Sequence, residues 1–209
     1  MPQNEGTIHS HGRGSLVAER LTLARELQRK TIHILTSFLP LAYYLNVDRT
    51  FILYTALFLA IGFLSADLLR MKFALAEKYF LLIFSPLLRG KEARKKLTGA
   101  TWLFLGMVAT VFLFSKEQAV PAMFLATLAD PFAALFGRRF GRKKYFGKTI
   151  IGFLVFWITA VLIIGGFDSF GWMAVWIGFI CALLEFIPVY IDDNLLVPLA
   201  AGYLLKIFR

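Results

Sequence analysis

The sequence predicts an all-α integral membrane protein, with about seven transmembrane helices, an amphipathic helix before them and one interfacial helix among them. Three observations carry this. The 209 residues are 58% hydrophobic, with a mean hydropathy of +0.68, which is more apolar than an ordinary soluble domain. The apolar residues fall in separate runs of near-membrane length. The cations gather in alternate connections between those runs.

Residues 1–30 read as a polar, basic tail, and 31–209 as a single polytopic membrane domain. Within the tail, Leu16, Leu23 and Leu27 fall near one face of a helix over 15–30, and Arg and Glu share the rest. A basic amphipathic helix beside a span lies on anionic lipid. The tail lacks the apolar centre and small-residue cleavage site of a signal peptide, so the first span itself directs insertion. The spans are expected at 31–46, 50–69, 98–115, 118–137, 149–166, 170–189 and 193–207. Several are shorter than the roughly 20 residues that cross a bilayer comfortably, so membrane thinning or helix extension is expected. Phe73 to Leu88 is interrupted by Glu77 and Lys78 and ends at Ser85-Pro86, the pattern of an interfacial helix.

Charge tests this count. Of the 23 Lys and Arg, all but Arg49, Lys116, Lys206 and Arg209 fall on the side of the N-terminus, which the positive-inside rule makes cytoplasmic. A full crossing by 73–88 would invert every later segment and divide the bias. The same distribution accounts for the net charge of +10 without nucleic acid, because the cations sit in membrane connections and not on a basic face interleaved with aromatics. The lone Cys181 excludes an internal disulfide and a thiolate metal cage, and reads as a small buried hydrophobe. His9 and His11 have no companions to complete a metal shell.

The chemistry concentrates between Leu128 and Thr149. Asp130 stands inside an apolar helix, where a carboxylate costs roughly 2.5–3.5 kcal/mol on insertion scales and so faces a site. A Gly-rich stretch follows with Arg138, Arg139, Arg142, Lys143, Lys144 and Lys148, suited to polyphosphate. It is not a Walker A loop: five residues, not four, separate Gly141 from Gly147-Lys148-Thr149, and a membrane helix precedes it where that loop needs a strand. Glycine still admits a phosphate to the backbone, Lys supplies charge, and Thr149 opens the next helix, whose N-terminus favours anions. Asp130 lies about 10 Å along the helix from Gly137, and Pro131 predicts a kink or break beside it. Asp130 is thus a candidate Mg²⁺ ligand or the base toward an alcohol.

Other polar groups fall at matching depth. Asp67 and Arg70 are three apart and pair on one helix face. Thr98-Gly99-Ala100-Thr101 opens the third span. Glu185 sits among Leu183, Leu184, Phe186 and Ile187. Asp192-Asp193-Asn194 caps the last span and suits helix capping or metal binding.

These pieces resemble the polyprenol kinase family of membrane proteins, which includes dolichol, phytol and farnesol kinases and the fungal CTP-dependent diacylglycerol kinases. The likeness runs over about 26–205: Glu26-Leu27-Gln28-Arg29-Lys30-Thr31-Ile32-His33, Leu97 to Thr101, Asp130 to Gly141, Gly147 to Gly152, and Glu185 with Asp192-Asp193-Asn194 and Pro198. The Asp-x-Phe-Ala-x-Leu-Phe-Gly-Arg-x-Phe-Gly block is the most specific. The resemblance implies Mg²⁺-dependent phosphoryl transfer from a nucleoside triphosphate, typically CTP, to a lipid hydroxyl at the cytoplasmic face. By position it makes Arg29, Lys30, Asp130 and Lys148 the catalytic group. Arg138, Arg139, Gly137, Gly141, Thr149 and Thr98 are expected to bind the nucleotide, and Asp130, Glu185, Asp192 and Asp193 the metal. Pro131 and Ile151 depart from residues frequent in that family, Ile151 standing where many members have Glu. The expected partners are the nucleotide, the lipid alcohol and membrane lipids, with oligomeric state left open. Two alternatives stand beside this reading. One is the related phosphatidate cytidylyltransferase, whose C-terminal His-Gly-Gly-x-x-Asp-Arg signature is absent here. The other is a non-enzymatic transporter, although no inverted repeat is visible.

Overall fold

The computed structural model describes residues 27–84, 96–167 and 171–208. Among these the chain is all-α apart from one two-stranded hairpin. The N-terminal part of the expected amphipathic helix, 15–26, lies outside the described residues; 27–30 open helix α1, which runs to residue 35.

The first expected span, 31–46, is not one helix. The chain turns at Thr36 and Ser37 before α2 (Phe38–Tyr44). Thr36 Oγ1 donates to the His33 carbonyl at 2.6 Å, so the side chain competes with the helical ladder. Pro40 then lacks the N–H that would continue it.

Helix α3 (Arg49–Lys72) starts sharply because Asp48 accepts from the N–H groups of Thr50 and Phe51 at 2.7 and 3.2 Å. Helix α4 (Ala74–Phe84) occupies the expected interfacial segment, of which 85–88 lie outside the described residues. Helix α5 (Gly99–Leu113) follows. The guanidinium of Arg49 donates to the Val111 and Phe112 carbonyls at 2.9 Å each, placing a cation at the C-terminal end of α5.

The fourth expected span is a continuous helical run, Lys116–Phe140. It comprises α6 (Lys116–Phe124), a π-helical turn (Leu125–Ala129) and α7 (Asp130–Phe140). The break expected at Pro131 is therefore a π-turn just before it. Arg138 and Arg139 lie in the last turn of α7 and not in a loop. Strands β1 (Lys144–Tyr145) and β2 (Lys148–Thr149) form the hairpin, followed by α8 (Ile150–Gly166), α9 (Met173–Phe186) and α10 (Asp193–Ile207).

Among the described residues two helical runs, α3 and Lys116–Phe140, are long and apolar enough to cross a membrane, and α5, α8 and α9 are shorter apolar helices. Rows of large apolar side chains face outward, Phe51, Tyr54, Phe58 and Ile61 on α3 and Leu154, Ile158 and Leu162 on α8. Apolar surface of that extent marks a contact with lipid or protein.

The described residues form two buried apolar clusters. One joins α2, α3, α5 and α6 around Leu39, Ile52, Leu103, Met107 and Met123. The other joins the π-turn, α7, α8, α9 and α10 around Leu125, Phe156, Ile164, Ile177 and Leu205. Cys181 lies fully buried in the second. Helix α10 crosses α5 where Gly106 leaves no room for a side chain: a Cβ there would lie 2.5 Å from the Asn194 carbonyl oxygen.

A buried polar knot ties α3 to α5. Asp67, fully buried, accepts from Arg70 at 2.7 Å, the Thr98 N–H at 2.7 Å and the Thr101 hydroxyl at 2.6 Å. Arg70 also donates to the Lys96 carbonyl and stacks over Phe80. The expected Asp67–Arg70 pair is present, and its carboxylate is satisfied from three directions, as a buried charge requires.

Candidate active site

Five side chains from distant parts of the chain converge in one cavity of about 410 Å³: Lys30 from α1, Asp130 from α7, Lys148 from β2, Glu185 from α9 and Asp193 from α10. Each is placed by a local feature of the backbone.

Asp130 is set by the π-turn. Its N–H donates to the Leu125 carbonyl, five residues back, and Pro131 follows with no N–H to give. One additional residue in a turn rotates all later side chains by about 100°, so the turn fixes the face that Asp130 presents. Lys30, on α1, reaches it with Nζ 2.5 Å from Oδ2, and both side chains are largely buried. His33, one turn further, is 7% exposed, and its Nδ1 lies 3.8 Å from the same oxygen.

Lys148 is presented by the hairpin. Lys144 pairs with Thr149 and Tyr145 with Lys148, leaving Phe146 and Gly147 as a two-residue turn. Both have positive φ, 52° and 84°, the geometry of a type I′ turn. The Phe146 ring meets Phe186 edge-on, which anchors the hairpin against the end of α9. Lys148 Nζ lies 2.7 Å from a Glu185 carboxylate oxygen and 2.9 Å from Asp193 Oδ2, and it also donates to the Glu185 backbone carbonyl. Glu185 is one residue from the end of α9, where backbone carbonyls lack helical partners and favour a cation. Burial works against the charged form of Lys148, but Asp193 and then Glu185 outweigh it and raise its pKa.

Carboxylate oxygens of Asp130, Glu185 and Asp193 lie within 4.8 Å of one another. The three carboxylates face one another with Lys30 and Lys148 as their ion-pair partners, and all three offer oxygen ligands. That donor set suits a hard divalent cation such as Mg²⁺. Asp192 lies next to this group in the chain and has a second use. It caps α10, accepting from the Asn194 N–H at 3.0 Å and the Asn194 side-chain amide at 2.8 Å. Burial, and then the neighbouring Asp193 charge, push its pKa up to about 6.

The remaining expected residues divide. Gly137, Arg138 and Thr149 line the cavity, together with Lys144, Gly147 and Gly152. The Thr149 hydroxyl, however, accepts from the Gly152 N–H at 3.1 Å and so caps α8. Gly137 and Gly141 let α7 and α8 approach. A Cβ on Gly137 would lie 2.6 Å from Thr149 Oγ1, and one on Gly141 would lie 2.6 Å from Thr149 Cβ. Arg139 is exposed and stacks over Phe140. Arg29 lines a second cavity, on the His33 side of α1. Thr98 belongs to the Asp67 knot, where its hydroxyl lies 3.0 Å from Asp67 Oδ2.

The hairpin is not among the sequence-based expectations. The available signal is Phe146-Gly147 between two dipeptides containing Lys. Because such a turn prefers Asn-Gly or Asp-Gly, that signal is weak.

Sequence comparison places relatives beside this geometry. The chain is 30% identical over 190 residues to the uncharacterized protein MJ1137 of Methanocaldococcus jannaschii, covering 87% of this chain and 93% of that protein. It is 27% identical over 150 residues to CTP-dependent diacylglycerol kinase 1 of Saccharomyces cerevisiae, covering 68% of this chain and 51% of the yeast protein. It is 27% identical over 168 residues to the Schizosaccharomyces pombe protein of the same name, covering 69% and 77%. No family model and no solved structure matches the chain. The chain belongs to the same family as MJ1137.

Proposed function

From that family membership and the likeness to the fungal enzymes, we propose that this protein is a CTP-dependent lipid kinase that phosphorylates the hydroxyl of a membrane lipid. The similarity to CTP-dependent diacylglycerol kinases supports the lipid kinase reading and CTP as donor. The acceptor is a lipid alcohol of the diacylglycerol, polyprenol or phytol type. The observation that carries the proposal is the convergence of Asp130, Glu185 and Asp193 with Lys30 and Lys148 in one cavity.

Phosphoryl transfer needs positioning and charge neutralisation more than covalent chemistry. Asp130, Glu185 and Asp193 would hold Mg²⁺, which when bound supplies positive charge to the phosphates. Lys148, Arg138 and Lys144 face the cavity as cations for the triphosphate, and Gly147 carries no side chain to obstruct it. The acceptor hydroxyl oxygen bonds to the γ-phosphorus, the bond from that phosphorus to the β–γ bridging oxygen breaks, and CDP leaves. The hydroxyl proton passes to the Asp130 carboxylate, which Lys30 holds in place.

The membrane arrangement belongs to the same proposal. Residues 31–209 form a single domain of about seven spans, with N-terminus and active site cytoplasmic, and 1–30 form the tail. The two long apolar runs and the outward apolar rows support a membrane setting. The shorter helices cross only in a locally thinned bilayer.

The test is direct. Purified protein in detergent receives each radiolabelled triphosphate, Mg²⁺ and a panel of lipid alcohols. The expected products are CDP and a lipid monophosphate, lost in Asp130→Asn. Pyrophosphate and a CDP-lipid would establish the cytidylyltransferase instead. An active Asp130→Asn enzyme would remove the role given to Asp130.

A further inference from the structure

Helix α1 separates two cavities. Lys30 lines the polar one that holds the carboxylates. Ile32 and His33 line the second, of about 160 Å³, whose other walls include Phe63, Leu103 and Phe104. A further cavity of about 240 Å³ shares Phe63 and Phe80 with it and continues along α3 to Phe58 and Leu59. Phe58 is 76% exposed, so this apolar track ends at the outer surface of α3. Its inner end is polar and its length is hydrocarbon-like, which matches one molecule with a small polar head and an apolar chain.

The inner end carries the sharper clue. His33 Nδ1 is buried and has no hydrogen-bond partner. Its 3.8 Å separation from Asp130 Oδ2 is too long for a direct hydrogen bond. A hydroxyl oxygen about 2.8 Å from each would need the two side chains to part by roughly 0.7 Å, so the bridge forms as the alcohol enters. A buried polar nitrogen without a partner costs free energy, and a bound hydroxyl would relieve it.

We propose that the apolar track between α1, α3, α4 and α5 seats the chain of the acceptor lipid, and that its hydroxyl bridges His33 and Asp130. This rests on the kinase reading and names where its acceptor sits. The His33 Nδ1–H donates to the hydroxyl oxygen, and the hydroxyl donates to Asp130. His33 is then a binding residue for the acceptor, holding its oxygen beside the carboxylate that takes the proton. The chain leaves past Phe63 toward Phe58, so the lipid enters from the side and only its hydroxyl reaches Asp130 at the wall of the nucleotide cavity.

Two measurements test this separately from the kinase reading. A diacylglycerol and a polyprenol, each with a diazirine in its chain and an alkyne handle, are irradiated in separate arms with wild-type protein in nanodiscs. No nucleotide is present. Labelling is expected in 58–66 and 99–104, and unlabelled alcohol should compete it away. Labelling confined to other segments in both arms overturns the proposal, whatever the enzyme assay shows. The arm that labels identifies the chain type. In the second measurement, Ala100→Phe places a ring in the second cavity, which Ala100 lines, and the lipid KM is expected to rise at least tenfold with the CTP KM unchanged. His33→Asn places an amide N–H near the Nδ1 position and should keep most of the lipid affinity, which His33→Leu should lose. Wild-type lipid KM in both Ala100→Phe and His33→Leu overturns the proposal. If wild-type protein labels in the track yet phosphorylates no lipid, the kinase reading fails and the lipid site stands.

Discussion

Lys30 Nζ lies 2.5 Å from Asp130 Oδ2, a contact between residues one hundred positions apart that joins the first described helix to the π-turn helix. Both partners are largely buried, so neither charge has water to replace the other. The pair holds the carboxylate at one place in the cavity and makes α1 part of the site.

That relationship sets the first prediction. Removing one partner of a buried ion pair costs about 3–5 kcal/mol, because the other charge stays buried and unpaired. Lys30→Met should lower the thermal midpoint clearly, while the double variant Lys30→Met/Asp130→Leu should recover much of the loss. Asp130→Asn keeps an acceptor for Lys30. It should fold and insert but lose about 10²–10⁴-fold in turnover, the usual scale for a missing general base. Thermal unfolding and a lipid phosphorylation assay on the same preparations separate the two effects.

Much of this is legible in the sequence for identifiable reasons. Long apolar runs mark α3 and Lys116–Phe140 nearly to their ends, since period and hydropathy are local signals. Asp130, Glu185 and Asp193 each stand out as acids in or beside apolar surroundings, where a carboxylate needs a reason to be. What the sequence does not contain is their mutual distance, which depends on how α7, α9 and α10 pack. Gly137 and Gly141 fit the pattern of phosphate-binding glycines because they lie in a stretch rich in Gly and Lys. Their use in the fold is the approach of α8. Thr36 breaks the first expected span through a side-chain hydrogen bond that hydropathy does not register.

The α7–α8 crossing yields the second prediction. A Cβ on Gly141 would overlap the Gly137 carbonyl oxygen, a backbone atom that cannot swing aside. Gly141→Ala should therefore destabilise by about 1–3 kcal/mol through overpacking. Thermal midpoints of Gly141→Ala and Gly147→Ala check it. At Gly147 an added Cβ would meet nothing within 4 Å, but the residue sits at φ +84°, so its substitution should cost about 1–2 kcal/mol by strain alone.

The carboxylate cluster yields the third. If Asp130, Glu185 and Asp193 hold Mg²⁺, chelation with EDTA should abolish activity and added Mg²⁺ should restore it. Glu185→Gln should raise the Mg²⁺ concentration for half-maximal rate by roughly tenfold, about 1.4 kcal/mol, as expected when one of three charged donors is neutralised. Lys148→Met should act on the nucleotide and raise the CTP KM, since it removes a cation from the cavity wall. A Glu185→Gln protein with unchanged Mg²⁺ dependence would exclude Glu185 as a ligand.

Thr98 yields the fourth, because its two candidate roles separate cleanly. As a nucleotide contact, its loss would raise the CTP KM with little effect on folding. In the structure its hydroxyl caps α5 and approaches Asp67, while its N–H binds the same carboxylate. Thr98→Ala leaves the N–H in place and removes the hydroxyl, so the cap is lost and Asp67 keeps Arg70 and Thr101. The expected cost is about 1–2 kcal/mol, the usual scale for an N-cap. Thr101→Val should cost about as much, because its hydroxyl donates to the fully buried Asp67 at 2.6 Å. Neither residue lines the carboxylate cavity, so the CTP KM should stay within twofold of wild type in both. A raised KM in Thr98→Ala with an unchanged thermal midpoint would return Thr98 to the nucleotide site.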